Sequence, residues 1–235
     1  GGLSYEEAVT FNVNDLNEVA TDISLSASSF NEDISSGSVV ATLSTTDEDA
    51  SDSHTYTLVS GTGDSDNGLF TIEGSNLKIS SSPDYETKDS YNIRLKTTDS
   101  AGLSYEEAVT FSVNDVNEVA TDISLSSSSF DENISSGSVV ATLSTTDEDA
   151  FDSHTYELVS GTGDTDNAAF TIEGSELKIN SSPDYETQSS YNIRLKTTDL
   201  GGLSYEEAFT LSVKYKEVTP ISVNQEPTDL SLIHI

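Results

Sequence analysis

The chain repeats itself with a period of 100 residues. Gly2-Leu3-Ser4-Tyr5-Glu6-Glu7-Ala8 returns at 102–108 and again at 202–208, and 18–26 returns unchanged at 118–126. This period is too long for a solenoid unit whose core depends on its neighbours, and it matches the size of an independent β-sandwich. The repeat predicts four segments: 1–18, the last strand and linker of a preceding repeat; 19–118 and 119–213, two whole repeats; and 214–235, an aberrant, disordered tail.

Within each repeat, apolar and polar residues alternate in short runs. Period-2 alternation with β-branched and aromatic enrichment is typical of half-buried strands, and Gly, Pro and Ser separate the runs. No helix of useful length is predicted, so the fold class is all-β with seven strands per repeat. In the first repeat the predicted strands are 22–26, 37–45, 54–60, 69–73, 76–80, 90–98 and 104–114.

The charge is extreme for a chain of 235 residues. A formal net charge of −33 and a pI near 4.1 disfavour nucleic acid and anionic membranes as partners, and they make the compact chain repel itself unless cations neutralise part of the charge. The absence of Cys excludes disulfides and thiolate metal sites. No apolar run is long enough to insert into a bilayer. The absence of Cys, Met and Trp suits an extracellular or cell-surface location.

Acidic residues concentrate where the predicted strands end. Calcium takes six to eight oxygen ligands in flexible geometry, so clustered loop carboxylates favour calcium over magnesium. For any one of these groups taken alone, an Asx-turn or a solvated loop is the favoured explanation. In the first repeat the groups are Asp47-Glu48-Asp49, Asp84-Tyr85-Glu86, Asp99 and Asp115-Val116-Asn117-Glu118.

The ordered set of acidic motifs resembles the cadherin domain, in the divergent form of large bacterial surface and secreted proteins. The resemblance covers both repeats and implies tandem seven-stranded Greek-key β-sandwiches of the cadherin/immunoglobulin-like type, with calcium ions between successive domains. It rests on Glu32, Asp47/Asp49, Asp84/Glu86 and Asp99, on their copies 100 residues later, and on the linker. The set it implies at the central linker is Glu32, Asp84, Glu86, Asp115, Asn117, Glu118, Asp147, Asp149 and Asp199.

The two ends of the chain differ from the middle. At the front, Asp15, Asn17 and Glu18 can meet Asp47, Asp49 and Asp99, but the acidic residues of a preceding repeat are missing, so we expect a partial, weaker site. At the back, Tyr215 stands where the central linker has Asp115, between Lys214 and Lys216. A third full site is therefore not expected.

Two functions remain open at this stage. The first is a calcium-rigidified spacer or adhesion module that binds calcium and contacts other adhesin copies. The second is a calcium-dependent carbohydrate-binding accessory module with a polysaccharide partner, although the chain has no Trp to stack on sugars. Catalysis is not expected, because Asp84 and Glu86 are two residues apart in one loop and His54 has no Ser or Cys nucleophile pattern beside it.

Overall fold

The chain divides into two units between Val116 and Asn117, within the predicted linker. The computed structural model describes residues 1–217. The all-β prediction is confirmed: apart from one short 3-10 turn per repeat (Asn67–Leu69 and Asn167–Ala169), all regular structure in this range is β-strand. No helix of these residues could cross a membrane.

The first unit contains two four-stranded sheets. The strands are β1 (Asp22–Leu25), β2 (Ser29–Asn31), β3 (Val39–Thr46), β4 (Thr55–Leu58), β5 (Phe70–Glu73), β6 (Asn76–Ile79), β7 (Ser90–Thr98) and β8 (Ser104–Asn114). One sheet has the order β1-β3-β6-β5, and its neighbours are all antiparallel. The other has the order β2-β8-β7-β4, in which β2 runs parallel to β8.

The second unit repeats this arrangement strand for strand. The strands are β9 (Asp122–Leu125), β10 (Ser129–Asp131), β11 (Val139–Thr146), β12 (Thr155–Leu158), β13 (Phe170–Glu173), β14 (Glu176–Ile179), β15 (Ser190–Thr198) and β16 (Ser204–Lys214). Its sheets have the orders β13-β14-β11-β9 and β10-β16-β15-β12.

Each repeat has one strand segment more than the seven predicted. β1 pairs with β3 in one sheet, whereas β2, three residues long, pairs with β8 in the other. The chain therefore crosses from sheet to sheet between Leu25 and Ser29, and β1 with β2 counts as one divided strand. A three-residue strand is too short to show an alternating pattern, and its one apolar residue, Phe30, is 7% exposed.

The core lies between the two sheets of each unit. Leu77 and Ile79 of β6 face Ile93 and Leu95 of β7, and all four side chains are fully buried. Each such side chain contributes about 1.5–3 kcal/mol through burial. An aromatic cluster closes the core of the first unit, with ring centroids 5.5–6.4 Å apart among Phe30, Phe70, Tyr91 and Phe111.

Segment 1–18, predicted to contain a strand, forms none in the structure. Its residues 4–14 match β8 at every position except Asn12, which is Ser112 in β8. Phe111 is fully buried in β8, yet its counterpart Phe11 is 86% exposed. A strand needs neighbours for its backbone hydrogen bonds, and no segment among residues 1–217 pairs with 4–14 as β7 pairs with β8. At the other end, Lys214, the first residue of the predicted tail 214–235, is the last residue of β16. Residues 218–235 of that tail lie outside the described residues.

Candidate metal centres at the ends of the strands

In the first unit, Asn17 and Glu18, which precede β1, bind the carboxylates of two loops that are distant in sequence. The side-chain amide of Asn17 donates to Asp99 Oδ2 at 2.8 Å, and the backbone N–H of Glu18 donates to Asp49 Oδ2 at 2.8 Å. Carboxylate oxygens of Asp15, Glu18 and Asp49 lie within 4.8 Å of one another. The front set predicted from sequence is therefore brought together at one end of the unit.

The electrostatics of this end favour a bound cation. Loss of hydration raises the pKa of Glu18, and the neighbouring Asp49 and Asp15 raise it further. Asp99 has the opposite shift, because the Asn17 amide and the backbone N–H groups of Leu103 and Gly102 lower its pKa. Asp99 is thus a stable anion, whereas the Glu18 carboxylate lacks a compensating positive charge.

The second unit repeats the same contacts. Asn117 Nδ2 donates to Asp199 Oδ2 at 3.1 Å, and the Glu118 N–H donates to Asp149 Oδ2 at 2.9 Å. Loss of hydration would raise the pKa of Asp199, but the hydrogen bond from Asn117 and the backbone N–H of Leu203 lower it. Asp147 lies on the same loop, and its Oδ1 accepts from the Asp149 N–H at 3.3 Å.

At the other end of the first unit, Glu32 connects two segments. It is 4% exposed, and its carboxylate accepts from Tyr85 N–H at 2.6 Å and from Val116 N–H at 2.8 Å. Through these two contacts, Val116, the residue after Asp115, lies near the loop that carries Asp84 and Glu86. Asp84 accepts from the N–H and hydroxyl of Thr87, which lower its pKa.

The corresponding end of the second unit differs in the residues that follow β16. Glu132 accepts from Lys216 N–H at 2.6 Å and from Tyr185 N–H at 3.2 Å, and its oxygens lie within 4.8 Å of those of Asp184 and Glu186. Tyr215, however, stacks edge-on against Tyr185 with ring centroids 5.9 Å apart. An aromatic pair therefore occupies the position where the central linker supplies a carboxylate.

Comparison with known proteins identifies this arrangement. Protocadherin Fat 4 of Homo sapiens is 30% identical over 206 residues, which are 84% of this chain and 4% of that protein. Among solved structures, the extracellular cadherin domains 1–4 of protocadherin gamma B7 align with a TM-score of 0.57 at 25% identity, covering 83% of this chain and 51% of that chain. The two repeats are cadherin-like domains. Human protocadherin-24 EC1-2 supports the same fold, with a TM-score of 0.63 at 23% identity over 86% of this chain and 100% of that chain.

The cadherin-like assignment has a defined extent. No family model matches the chain. The chain spans 4% of the length of the curated relatives it matches, so the activity of those whole proteins is not transferred to it. None of the relatives named above is described as a sugar-binding protein, and the carbohydrate-binding prediction gains no support.

Two features of the cadherin-like ends were missed in the sequence. His54 Nε2 lies 3.0 Å from Asp47 Oδ2, and His154 lies 2.8 Å from Asp147, so these histidines orient a candidate ligand. In addition, Asp52 Oδ2 is buried without a hydrogen-bond partner among the described residues, as is its counterpart in Asp152. Only the spacing of three residues from Asp49 to Asp52 could have indicated the second feature.

The donor atoms fit calcium. The candidate ligands are carboxylate and amide oxygens without thiolates. Calcium and magnesium both prefer oxygen ligands, and the flexible coordination of calcium by six to eight of them suits clustered loop carboxylates better. The buried, unpartnered carboxylate oxygen of Asp52 is unfavourable without a positive charge nearby. The residues that would hold calcium in the first unit are Asp15, Asn17, Glu18, Asp47, Asp49 and Asp99 at one end, and Glu32, Asp84, Glu86 and Asp115 at the other.

Proposed function

We propose that this chain is a calcium-rigidified pair of cadherin-like repeats that acts as a spacer or adhesion module of a bacterial surface or secreted protein. The observation that carries the proposal is the same pair of contacts in both repeats. In each, an Asn amide binds the Asp at the end of a long strand, and the following Glu N–H binds the second Asp of the Asp-Glu-Asp loop.

Like charges supply the physical reason. Two carboxylates about 4 Å apart repel by about 1 kcal/mol in water and by about 4 kcal/mol at an effective dielectric constant of 20. Backbone and amide donors orient these groups but do not neutralise them. Calcium offsets the repulsion, and its binding stabilises whichever arrangement of the loops holds the ligands.

The central linker is the position where we propose the fullest calcium cluster. Asp115 immediately precedes Val116, whose backbone N–H donates to Glu32. Asn117 and Glu118 hold the carboxylate loops of the second repeat. Since only Val116 separates Asp115 from Asn117, one short segment carries candidate ligands for both repeats. The front of the chain then has a partial cluster, and the back, with Tyr215, has the weakest.

Calcium dependence fits an extracellular setting. Extracellular calcium modules bind with constants of about 10⁻⁴–10⁻³ M, so they fill outside the cell rather than in the cytosol. The excess negative charge supports the same location, because soluble, non-aggregating surface repeats benefit from net charge. Contact between copies of the repeats is the adhesive interaction we propose.

Calorimetric titration of the full chain with calcium tests the proposal. We expect wild type to bind several ions, and Asp149→Asn to lose the tightest of them. Glu148→Gln is the matched control, because it removes the same charge from the exposed residue next door and leaves binding unchanged. The proposal fails if wild type binds no calcium, or if the two variants lose binding equally.

A further inference from the structure

The second repeat carries a sequence that the first lacks. Residues 131–135 are Asp131-Glu132-Asn133-Ile134-Ser135, which contains the Asn-X-Ser pattern of an N-glycosylation acceptor. The first repeat has Asp33 at the equivalent position and therefore has no acceptor there. The two repeats are otherwise nearly alike in this loop, so one serves as an internal control for the other.

The loop presents Asn133 to solvent in a fixed conformation. Asn133 has a φ of 60°, and Asp33 has 57°, so both copies use the left-handed region that Asn and Asp tolerate best among residues with a side chain. Glu132 is buried, whereas Asn133 and Ser135 are exposed. The backbone N–H of Asn133 donates to Pro183 O at 2.9 Å, which ties the loop to the neighbouring segment.

A second Asn-X-Ser pattern, Asn180-Ser181-Ser182, is a weaker candidate. Both functional atoms of the Asn180 side chain are engaged: Nδ2 donates to Ala168 O at 3.0 Å, and Oδ1 accepts from Thr171 Oγ1 at 3.1 Å. A transferase would have to break both contacts to reach Nδ2. The Asn133 side chain is therefore more accessible to a transferase than that of Asn180, although the two patterns belong to neighbouring segments.

We propose that Asn133 is an N-glycan acceptor on the folded chain. In this step the Asn133 amide nitrogen forms a bond to the anomeric carbon of a lipid-linked oligosaccharide pyrophosphate. The bond between that carbon and the pyrophosphate oxygen breaks, the lipid pyrophosphate leaves, and the amide gives up one proton. The proposal rests on the export of the chain that the proposed function includes, because such transfer takes place outside the cytosol.

The residues just before the acceptor leave it accessible. Asp131 is the last residue of β10 and is exposed, so it lies on the same accessible surface as Asn133.

The test uses the full, folded chain with a purified bacterial oligosaccharyl transferase and its lipid-linked donor, with intact mass as the readout. We expect one glycan on wild type and none on Asn133→Gln. Asn180→Gln is the matched control and keeps the glycan. The double variant Asn31→Asp/Asp33→Asn creates the same pattern in the first repeat, and we expect it to accept a second glycan.

Two results would overturn the proposal: an unmodified wild-type chain while an acceptor peptide is glycosylated in the same mixture, or a glycan that peptide mapping places on Asn180. A calcium titration of the same sample separates this outcome from the proposed function. A chain that binds calcium but accepts no glycan contradicts only the acceptor. A chain that accepts a glycan but binds no calcium contradicts only the calcium-dependent spacer.

Discussion

At the scale of single residues, one amide in each repeat lowers the pKa of a candidate ligand. Asn17 and Asn117 each donate to the carboxylate at the end of a nine-residue strand. Because the amide hydrogen bond favours the charged form, Asp99 and Asp199 have lowered pKa values. The Asn side chain thus prepares an anion before any cation binds.

We therefore expect Asn117→Ala to raise the pKa of Asp199 and to weaken calcium binding several-fold. Side-chain carbonyl NMR gives the pKa in chelator, and calorimetry gives the affinity. Asn17→Ala is the paired control, since it alters the contact with Asp99 and leaves Asp199 untouched. An unchanged calcium affinity in Asn117→Ala would show that this contact plays no part in binding.

Much of the site could be predicted at the residue scale, and the reasons for the rest are physical. The order of acidic motifs along the chain identified Asp49 and Asp99, because strand ends in a β-sandwich gather at the same edges. The bonds made by the backbone N–H groups of Glu18 and Val116 were not predictable, since they depend on loop dihedrals that no side-chain pattern encodes.

At the scale of elements, a glycine loop packs closely on β8. Gly63 has a φ of +88°, and a Cβ added there would lie 2.8 Å from the Cβ of Ala108 on β8. Gly163 stands in the same relation to Ala208. The loop before the 3-10 turn can therefore approach the strand only without a side chain.

Gly63→Ala is expected to destabilise the first repeat by about 1–3 kcal/mol, through overpacking and left-handed backbone strain. Denaturant unfolding measures the change. Gly68→Ala is the matched control, because its Cβ meets nothing within 4 Å and the second repeat already carries Ala168 there. Equal stability of the two variants would mean that the loop moves away from β8 at little cost.

A buried aspartate connects the same turn to β7. Burial alone would raise the pKa of Asp66, but hydrogen bonds from the Asn92 N–H and from Lys88 lower it. In the second repeat Gln188 takes the place of Lys88, and the pKa of Asp166 is still lowered. The backbone hydrogen bond common to both repeats is therefore the contact that matters most.

The lowered pKa sets the direction of the pH dependence. The stabilisation from Asp66 is fully present above the unfolded value of about 3.9 and is lost as pH falls through the lower folded value. Asp66→Ala should cost about 1–3 kcal/mol at neutral pH, since the Asn92 N–H loses its partner. The urea midpoints of this variant and of wild type should differ at neutral pH and converge in acid. Lys88→Gln should stay within about 1 kcal/mol of wild type.

The accuracy of the strand predictions depends on strand length and on the presence of a partner strand. The long strands β7 and β8 matched their predicted bounds, because nine and eleven residues suffice to show alternation. The crossing of the first strand between sheets was missed, since β2 has three residues. The strand predicted in segment 1–18 does not form, for the opposite reason: its alternation is complete, but a strand also requires a partner.

At the scale of the whole molecule, two effects of cations must be distinguished. A chain with a net charge of −33 gains stability from any salt, because ions screen repulsion with a Debye length of about 10 Å at 0.1 M and about 3 Å at 1 M. Specific sites add stability only with the ion that fits their oxygen ligands. Both repeats have their own cores and the same carboxylate loops, so both effects act on each of them.

Melting curves separate the two effects. In chelator, the melting temperature should rise gradually with sodium chloride through screening. At fixed ionic strength, calcium at about 100 times its dissociation constant should add about 2.7 kcal/mol for each site, or about 10 °C or more for a domain of this size. Magnesium should add less, because it demands octahedral geometry and dehydrates reluctantly. If calcium and magnesium raise the melting temperature equally, and no more than sodium chloride does, the carboxylate clusters act only through bulk charge and the spacer is not calcium-dependent.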